Sequence, residues 1–203
     1  MTEGNMDFWD RFAGLYDIGQ SINGKVQGEM ARLAAELIPE GAVVLDTAAG
    51  TGILTMAAAK KAAEVVCTDM SSPMLEQARA KARRGGLTNI RFEERNIFHL
   101  EDEDGAYDAV MAGNVLHLLT DPQSAVKELA RVTKRGGLLI LPTYVNIHDS
   151  VSIKLYKKLG FKQEQDYTPT SYKVMLEECG VGRVKARLIK GMVPCCFAVI
   201  KKD

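Results

Sequence analysis

Val43-Val44-Leu45-Asp46-Thr47-Ala48-Ala49-Gly50-Thr51-Gly52-Ile53-Leu54-Thr55 is the stretch of this 203-residue chain that decides its fold. It opens as a short β-branched apolar run ending in an acid, which suits a buried parallel strand. A loop of small residues follows, with Ala48, Gly50 and Gly52 spaced by two. Small residues let the backbone turn sharply and let a ligand come close to it. The apolar helix that begins at Ile53 presents free N–H groups and a positive dipole end toward the loop. Strand, tight loop and helix in this order predict a nucleotide-type ligand at the carboxyl end of the first strand.

The loop is not the dinucleotide fingerprint. Counted as G-x-G-x-x-G from Gly50, the last position is Thr55; counted from Ala48, the first glycine is lost and Ile53 stands last. Asp46-Thr47-Ala48-Ala49-Gly50-Thr51-Gly52 instead resembles the first motif of the class I S-adenosylmethionine (SAM) methyltransferases, with Ala48 in place of the first glycine. By itself such a short motif is also compatible with a strand–loop–helix turn that binds nothing.

Working outward, Glu64 to Asp69 reads as a second strand, and Asp69 lies 17 residues after Gly52. A carboxylate at the tip of the second parallel strand is placed to accept from ribose hydroxyls. Ser71 or Ser72 with Pro73 supplies a cap and first turn for a helix over 73–84, which leaves Asp69 for that role. Met74, Leu75, Ala78 and Ala82 form its inner face, and Arg79, Lys81, Arg83 and Arg84 a solvated one. Helix A is expected over 53–61, with Lys60 and Lys61 at its negative dipole end. The third strand is expected over 89–95, the fourth from Tyr107, and the fifth over 138–144 after Gly136-Gly137. A helix opens at Pro122 and another spans 170–179. Arg183–Lys190 and Val193–Lys201 read as strands joined by Gly191-Met192, and so short a link forces an antiparallel hairpin.

The resemblance extends across these elements, and it implies the site residues. Asp69 would hold the ribose with Met70 beside it, and Asn96 and Ile97 would meet the adenine. Ala48, Gly50 and Gly52 would present loop backbone to the cofactor, and Asp46 would orient the loop or the methionine ammonium. Gly113-Asn114, at the tip of strand four, would face the methionine part. Phe12-Ala13-Gly14-Leu15-Tyr16-Asp17 resembles the aromatic-Ala-x-x-Tyr-Asp entry of many small-molecule methyltransferases. That makes Tyr16 a candidate cofactor cover and catalytic residue. The aromatic face it shares with Phe8, Trp9 and Phe12 also reads, as aromatic stripes usually do, as a helix packed on the domain. His117, one turn beyond Asn114, is the candidate proton acceptor, since a histidine titrates near neutrality; a packing histidine between Leu116 and Leu118 is the competing reading. His148 lies in a loop that could line the acceptor pocket.

Formal net charge is zero and 46% of residues are hydrophobic, so a sizeable core can be buried and no nucleic-acid partner is expected. No run of 18 apolar residues occurs, so no membrane span is expected. The start of the chain, with Glu3, Asp7 and Asp10, lacks a basic and apolar leader, so no signal peptide is expected. None of Cys67, Cys179, Cys195 and Cys196 forms C-x-x-C, which predicts no metal site and a reduced, cytoplasmic setting. Cys195 and Cys196 are adjacent in a strand and should point to opposite faces. Lys154, Lys157, Lys158 and Lys162 cluster in a stretch read as a solvated face.

The fold class expected is α/β: a Rossmann-like methyltransferase domain with N-terminal helices and a mostly parallel seven-stranded sheet whose last strand is antiparallel. A single domain over 1–203 would comprise a helical lid (1–40), a SAM-binding core (41–143) and an acceptor-side insertion with the closing hairpin (144–203). The resemblance, nearest the ubiquinone/menaquinone-biosynthesis group, implies a SAM-dependent methyltransferase acting on a small molecule and leaving S-adenosylhomocysteine. Two alternatives stay open on sequence alone. A nicotinamide-dependent oxidoreductase would share the loop and Asp69, although Thr55 and the terminal hairpin argue against it. A non-catalytic SAM-binding protein would keep the cofactor motifs without an acceptor pocket.

Overall fold

A computed structural model describes residues 23–147 and 164–203. Tyr16 with its aromatic neighbours, His148 and the 154–162 lysine cluster lie outside the described residues. Helix α1 (Gly24–Leu37) buries Val26, Gln27, Met30, Leu33 and Ala34, one stripe at helical spacing. It is tied to the far end of the chain by Asn23. The Asn23 amide donates to the Val193 carbonyl at 2.8 Å, and its oxygen accepts from Val193 N at 3.4 Å. Gly191 lies against that helix so closely that a Cβ would stand 2.2 Å from Val26 Cγ2.

The elements that follow are β1 (Val43–Thr47), α2 (Ile53–Ala58), β2 (Glu64–Asp69), α3 (Ser72–Arg84), β3 (Ile90–Glu94) and β4 (Tyr107–Met111). A 3-10 turn (Leu116–Leu118) leads to α4 (Pro122–Val132), β5 (Thr133–Tyr144), α5 (Pro169–Glu178), β6 (Gly182–Ile189) and β7 (Cys195–Lys202). The sheet runs β3-β2-β1-β4-β5-β7-β6. β1 pairs in parallel with β2 and β4, and β7 pairs antiparallel with both β5 and β6. This is the expected seven-stranded architecture. β1 is central and almost wholly buried, which is why its sequence is apolar throughout except for Asp46 and Thr47.

Two cores flank the sheet. Leu45, Val110, Leu129, Leu139 and Tyr172 pack on the α4/α5 face, and Met30, Ala34, Val44, Val65 and Ile140 pack on the α1/α2 face. Cys195 belongs to the second and Cys196 to the first, so the two thiols do face apart. All four cysteines are free and buried. Among the described residues no group of three or more His, Cys, Asp or Glu is placed to hold a metal. No helix among them is long and apolar enough to cross a membrane.

Some boundaries differ from expectation, each for a physical reason. α2 ends at Ala58, and Lys61 serves a different helix end: its ammonium donates to the Ala35 and Ile38 carbonyls, both at 3.1 Å, closing the C-terminus of α1. β5 starts at Thr133, directly after α4. Tyr107 pairs with Thr133 and Ala109 with Leu138, so Lys134–Gly137 forms a bulge whose Gly136 takes φ 74°. The hairpin link spans residues 190–194, because Pro194 has no N–H to enter the ladder and Ile189 pairs with Cys195. At the start of β4, Asp108 accepts from Val43 N at 2.9 Å and from Lys134 Nζ at 2.6 Å, locking β1 to the bulge of β5. The Lys134 ammonium holds this carboxyl below the usual carboxylate range.

Candidate active site

The carboxyl ends of β1, β2 and β4 converge on one pocket, and each element presents it with a different chemical group. After β1 the chain takes left-handed φ at three positions spaced by two: Ala48 (49°), Gly50 (54°) and Gly52 (80°). For Ala48 this backbone costs roughly 1–2 kcal/mol, so the loop must be held from outside. Asp69 does much of that holding. Its Oδ2 accepts from Gly50 N at 2.8 Å and its Oδ1 from Ser71 N at 2.9 Å. Ala49 N also donates to the Thr68 carbonyl at 3.0 Å. Asp69 thus lines the pocket and fastens the loop to the tip of β2, whereas the spacing argument left its carboxylate for ribose alone.

Asp46, at the end of β1, is 1% exposed and lines the same pocket. Its Oδ2 accepts from Thr55 Oγ1 at 2.5 Å, in the first turn of α2. Its Oδ1 is buried with no hydrogen-bond partner among the described residues. Burial pushes its carboxyl up to about 7, against the pull of Thr55 and with a push from the charge of Asp69. Across the pocket, Asn114 sits in left-handed backbone (φ 56°), its N–H donating to the Pro142 carbonyl at 2.8 Å. Its side-chain Nδ2 points to Met30 Sδ at 3.7 Å, and its Oδ1 is buried without a partner among the described residues. Two unsatisfied acceptors in one pocket are costly in isolation and suit a ligand that brings donors or positive charge.

Several expected site residues stand here together: Asp46, Ala48, Gly50, Asp69, Met70 and Asn114 all line the pocket. Others do not. Gly52 is absent from the lining; a Cβ on it would lie 3.0 Å from Ala78 Cβ and 3.1 Å from Met56 Cε, so its small size serves the packing of α2 on α3. Asn96 is exposed, and its oxygen closes a turn on Phe98 N at 3.0 Å. Ile97 is 3% exposed in the α4/α5-side core. Neither is on the pocket lining: Arg95 N still donates to the Asp69 carbonyl at 3.2 Å, and the chain then turns at Asn96–His99. His117 is 1% exposed and also off the lining. Its Nδ1 is hydrogen-bonded to Thr143 Oγ1 at 2.9 Å, its carbonyl accepts from Glu164 N and Gln165 N, and its ring meets Tyr144 edge-on at 6.0 Å. Burial lowers its pKa to about 3 by disfavouring the imidazolium, so at neutral pH it is a neutral histidine packed off the pocket lining.

The lining also holds residues the sequence reading passed over: Gln27 and Met30 from α1, Met74 from α3, and Val115 and Leu118 beyond β4. Gln27 donates to the Tyr144 hydroxyl at 3.3 Å. A polar residue inside the buried stripe of α1 was the one available signal for it. Two residues assigned to the solvated face of α3 are also engaged: Lys81 Nζ donates to Thr51 Oγ1 of the loop at 2.8 Å, and Arg79 stacks over Phe92 at 5.2 Å.

A family model described as a methyltransferase domain matches residues 44–137, from β1 into the bulge of β5. A ubiquinone/menaquinone biosynthesis C-methyltransferase from Hydrogenovibrio crunogenus is 30% identical, over 93% of this chain and 80% of its own length. The chain belongs to the class I SAM-dependent methyltransferases. A demethylmenaquinone methyltransferase of Thermus thermophilus is 40% identical over 54% of this chain and 49% of that protein. An uncharacterised Mycobacterium tuberculosis protein is 36% identical over 53% of this chain, and the match spans only 39% of that protein. Against several curated relatives, then, the match spans between two fifths and half of their length. The fold is also that of the magnesium protoporphyrin IX methyltransferase of Synechocystis, solved with S-adenosylhomocysteine: TM-score 0.69, 20% identity, 91% of this chain and 87% of that one.

SAM is the cofactor of this methyltransferase family, and the pocket fits it. The unpartnered Oδ1 atoms of Asp46 and Asn114 are acceptors suited to an ammonium, and the left-handed loop between them carries no side chain larger than the Thr51 hydroxyethyl. Family membership sets aside the nicotinamide oxidoreductase reading.

Proposed function

We propose that this chain is an enzyme that transfers a methyl group from SAM to a small-molecule acceptor by in-line displacement. The observation that carries the reading is the pair of buried, unpartnered acceptors, Asp46 Oδ1 and Asn114 Oδ1, facing one pocket beside the Asp69-fastened loop. SAM when bound supplies a sulfonium methyl that is already an activated electrophile. The protein's work is therefore to bind, orient and exclude water, which in favourable cases supplies roughly 7–11 kcal/mol.

In this reading Asp46 and Asn114 hold the methionine ammonium, and Asp69 both orders the loop and accepts from the ribose. Backbone of Ala48 and Gly50 borders the methionine end. Met30, Leu54, Met74 and Leu118 give the pocket apolar walls that exclude water. Asn96 and Ile97 stand off this lining, and Met70 and Met74 are the lining residues we propose for the adenine. Tyr16 remains the proposed cover and acceptor-side residue. Relatives named for ubiquinone and menaquinone biosynthesis, a C-methyltransferase and an O-methyltransferase among them, make hydroxylated aromatic rings the first acceptors to try.

The test is calorimetric titration with SAM, S-adenosylhomocysteine and NADH, followed by transfer from methyl-labelled SAM to a panel of hydroquinones and catechols. The proposal expects binding of the first two ligands, none of NADH, and label in at least one acceptor. Cofactor binding without label in any acceptor of the panel, with and without added lipid, would favour a non-catalytic SAM-binding protein.

A further inference from the structure

β6 is the outer strand of the sheet, and among the described residues nothing pairs with its outer edge. Arg183, Lys185 and Arg187 stand at alternate positions along it, so their side chains share one face, the α1 face. Between that row and α1 runs a groove of about 670 Å³, floored by Phe197 and Val199 and walled by Leu33 and Leu37. Five basic side chains line it against two acidic ones, Glu36 and Asp203, in a chain whose formal net charge is zero. Arg187 is paired with Glu29 of α1 at 2.9 Å, which sets the width of the groove at one end. Lys201, opposite Leu138, marks the other end, and the groove shares no lining residue with the cofactor pocket. The groove is thus separate from the SAM site.

We propose that this edge is a docking site for an acidic, extended peptide segment of a partner protein, which adds to β6 as a further strand. Main-chain hydrogen bonds to an exposed sheet edge supply affinity, and side chains at alternate positions supply specificity. A strand carrying Glu or Asp at every second residue faces Arg183, Lys185 and Arg187 in register. The intervening residues point to the opposite face, beside Val184 and Leu188, which are packed on the α4/α5-side core.

The same row of charge argues against the other occupants. In an antiparallel pairing of two copies centred on Lys185, Arg183 would face Arg187 and Lys185 would face its own counterpart; like charges directly opposite are destabilising. A bilayer needs protruding apolar residues, and of the exposed large hydrophobic residues described only Leu37 belongs to the groove. Cations on an edge strand also discourage aggregation, but that purpose does not require an apolar floor beneath them.

The experiment uses the full chain and a fluorescent octapeptide alternating Glu and Val. Comparisons are an isomeric peptide with its Glu residues in one block, phosphatidylglycerol vesicles, and an RNA duplex. Amide exchange over 182–189 is followed with and without peptide. The proposal expects the alternating peptide to bind, to slow exchange in β6, and to bind about tenfold less tightly to Arg183→Glu/Lys185→Glu. SAM binding by that variant should be unchanged, which shows that it folds. Equal affinity of the variant, preference for the blocked peptide, tighter binding of vesicles or RNA, or no binding would overturn it. So would β6 amides that are all protected before peptide is added, since the edge would then be covered by this chain itself.

Discussion

Binding of SAM should release a proton, and the proton should come from Asp46. The carboxyl is buried, with its charge disfavoured to about 7 from an ordinary 3.8. At about 1.4 kcal/mol for each tenfold change, that makes the charged form about 4 kcal/mol costlier here than in water. An ammonium placed at Asp46 Oδ1 reverses that preference. At about pH 6 roughly nine molecules in ten carry the proton, so binding there should release close to one proton per site. Above about pH 8.5 it should release almost none. Apparent affinity should fall about tenfold for each pH unit below 7.

Titration calorimetry in two buffers of different ionisation enthalpy measures the proton count directly. S-adenosylhomocysteine is the control, because it keeps the ammonium and lacks the sulfonium charge; both ligands should release the same number. Asp46→Asn should abolish the release and weaken both ligands. A proton count near zero at about pH 6, or an affinity flat between about pH 6 and 8, would refute the placement of the ammonium at Asp46.

Asp46 and His117, both buried, make opposite contributions to the pH dependence of stability. His117 is held neutral, with its pKa lowered to about 3 from 6.5, so its contribution is full above 6.5 and is lost as pH falls toward 3. Asp46 is raised, so its contribution is full below 3.8 and is lost as pH climbs to about 7. Between about pH 4 and 6.5 the slopes are each about 1.4 kcal/mol per unit and opposite in sign. Urea unfolding of Asp46→Asn should therefore show stability falling with acid across that window, where the wild type is flatter, and at about pH 8 the variant should be more stable than wild type. His117→Ala should lose about 2–4 kcal/mol in the same assay through the cavity and the orphaned Thr143 hydroxyl. Asp69→Ala removes two charge-assisted bonds to loop amides and should weaken S-adenosylhomocysteine binding at least tenfold, about 1.4 kcal/mol. Whether the ribose also depends on Asp69 is read by a cycle with a 2′-deoxy analogue: a coupling near zero would leave only the loop role. Gly52→Ala, at φ 80° with Ala78 Cβ 3.0 Å away, should lower stability by about 1–3 kcal/mol, measured by the shift of the urea midpoint.

What the chain reveals in sequence is the part of the site made by backbone. The spacing of Ala48, Gly50 and Gly52 marks three left-handed residues, and the acid at the tip of each of the first two strands marks where a charge meets a loop. The interior faces of α3 and the opposed cysteines were legible for the same reason, since period and alternation determine direction. The hairpin was legible as antiparallel, but its link was misjudged by three residues because Pro194 ends the ladder early.

The part made by side chains converging from distant elements was not legible. Gln27 and Met30 reach the pocket only because Asn23 and Gly191 clamp α1 to the hairpin link some 170 residues away, and no local pattern records that. Asn96 has the chemistry for adenine, but its oxygen is spent on a turn two residues long, a local competitor that a polar residue after a strand often meets. His117 carries the residue type of a base, yet the 3-10 turn rotates it inward against Thr143 and Tyr144, where burial removes the charge change that a base requires. Residue type proposes a chemistry; the partner and the degree of burial decide whether it is available. Asp46 shows the same principle in the other direction. An acid that reads in sequence as a loop-orienting residue becomes, once buried with one oxygen unpaired, the group whose proton should report directly on cofactor binding.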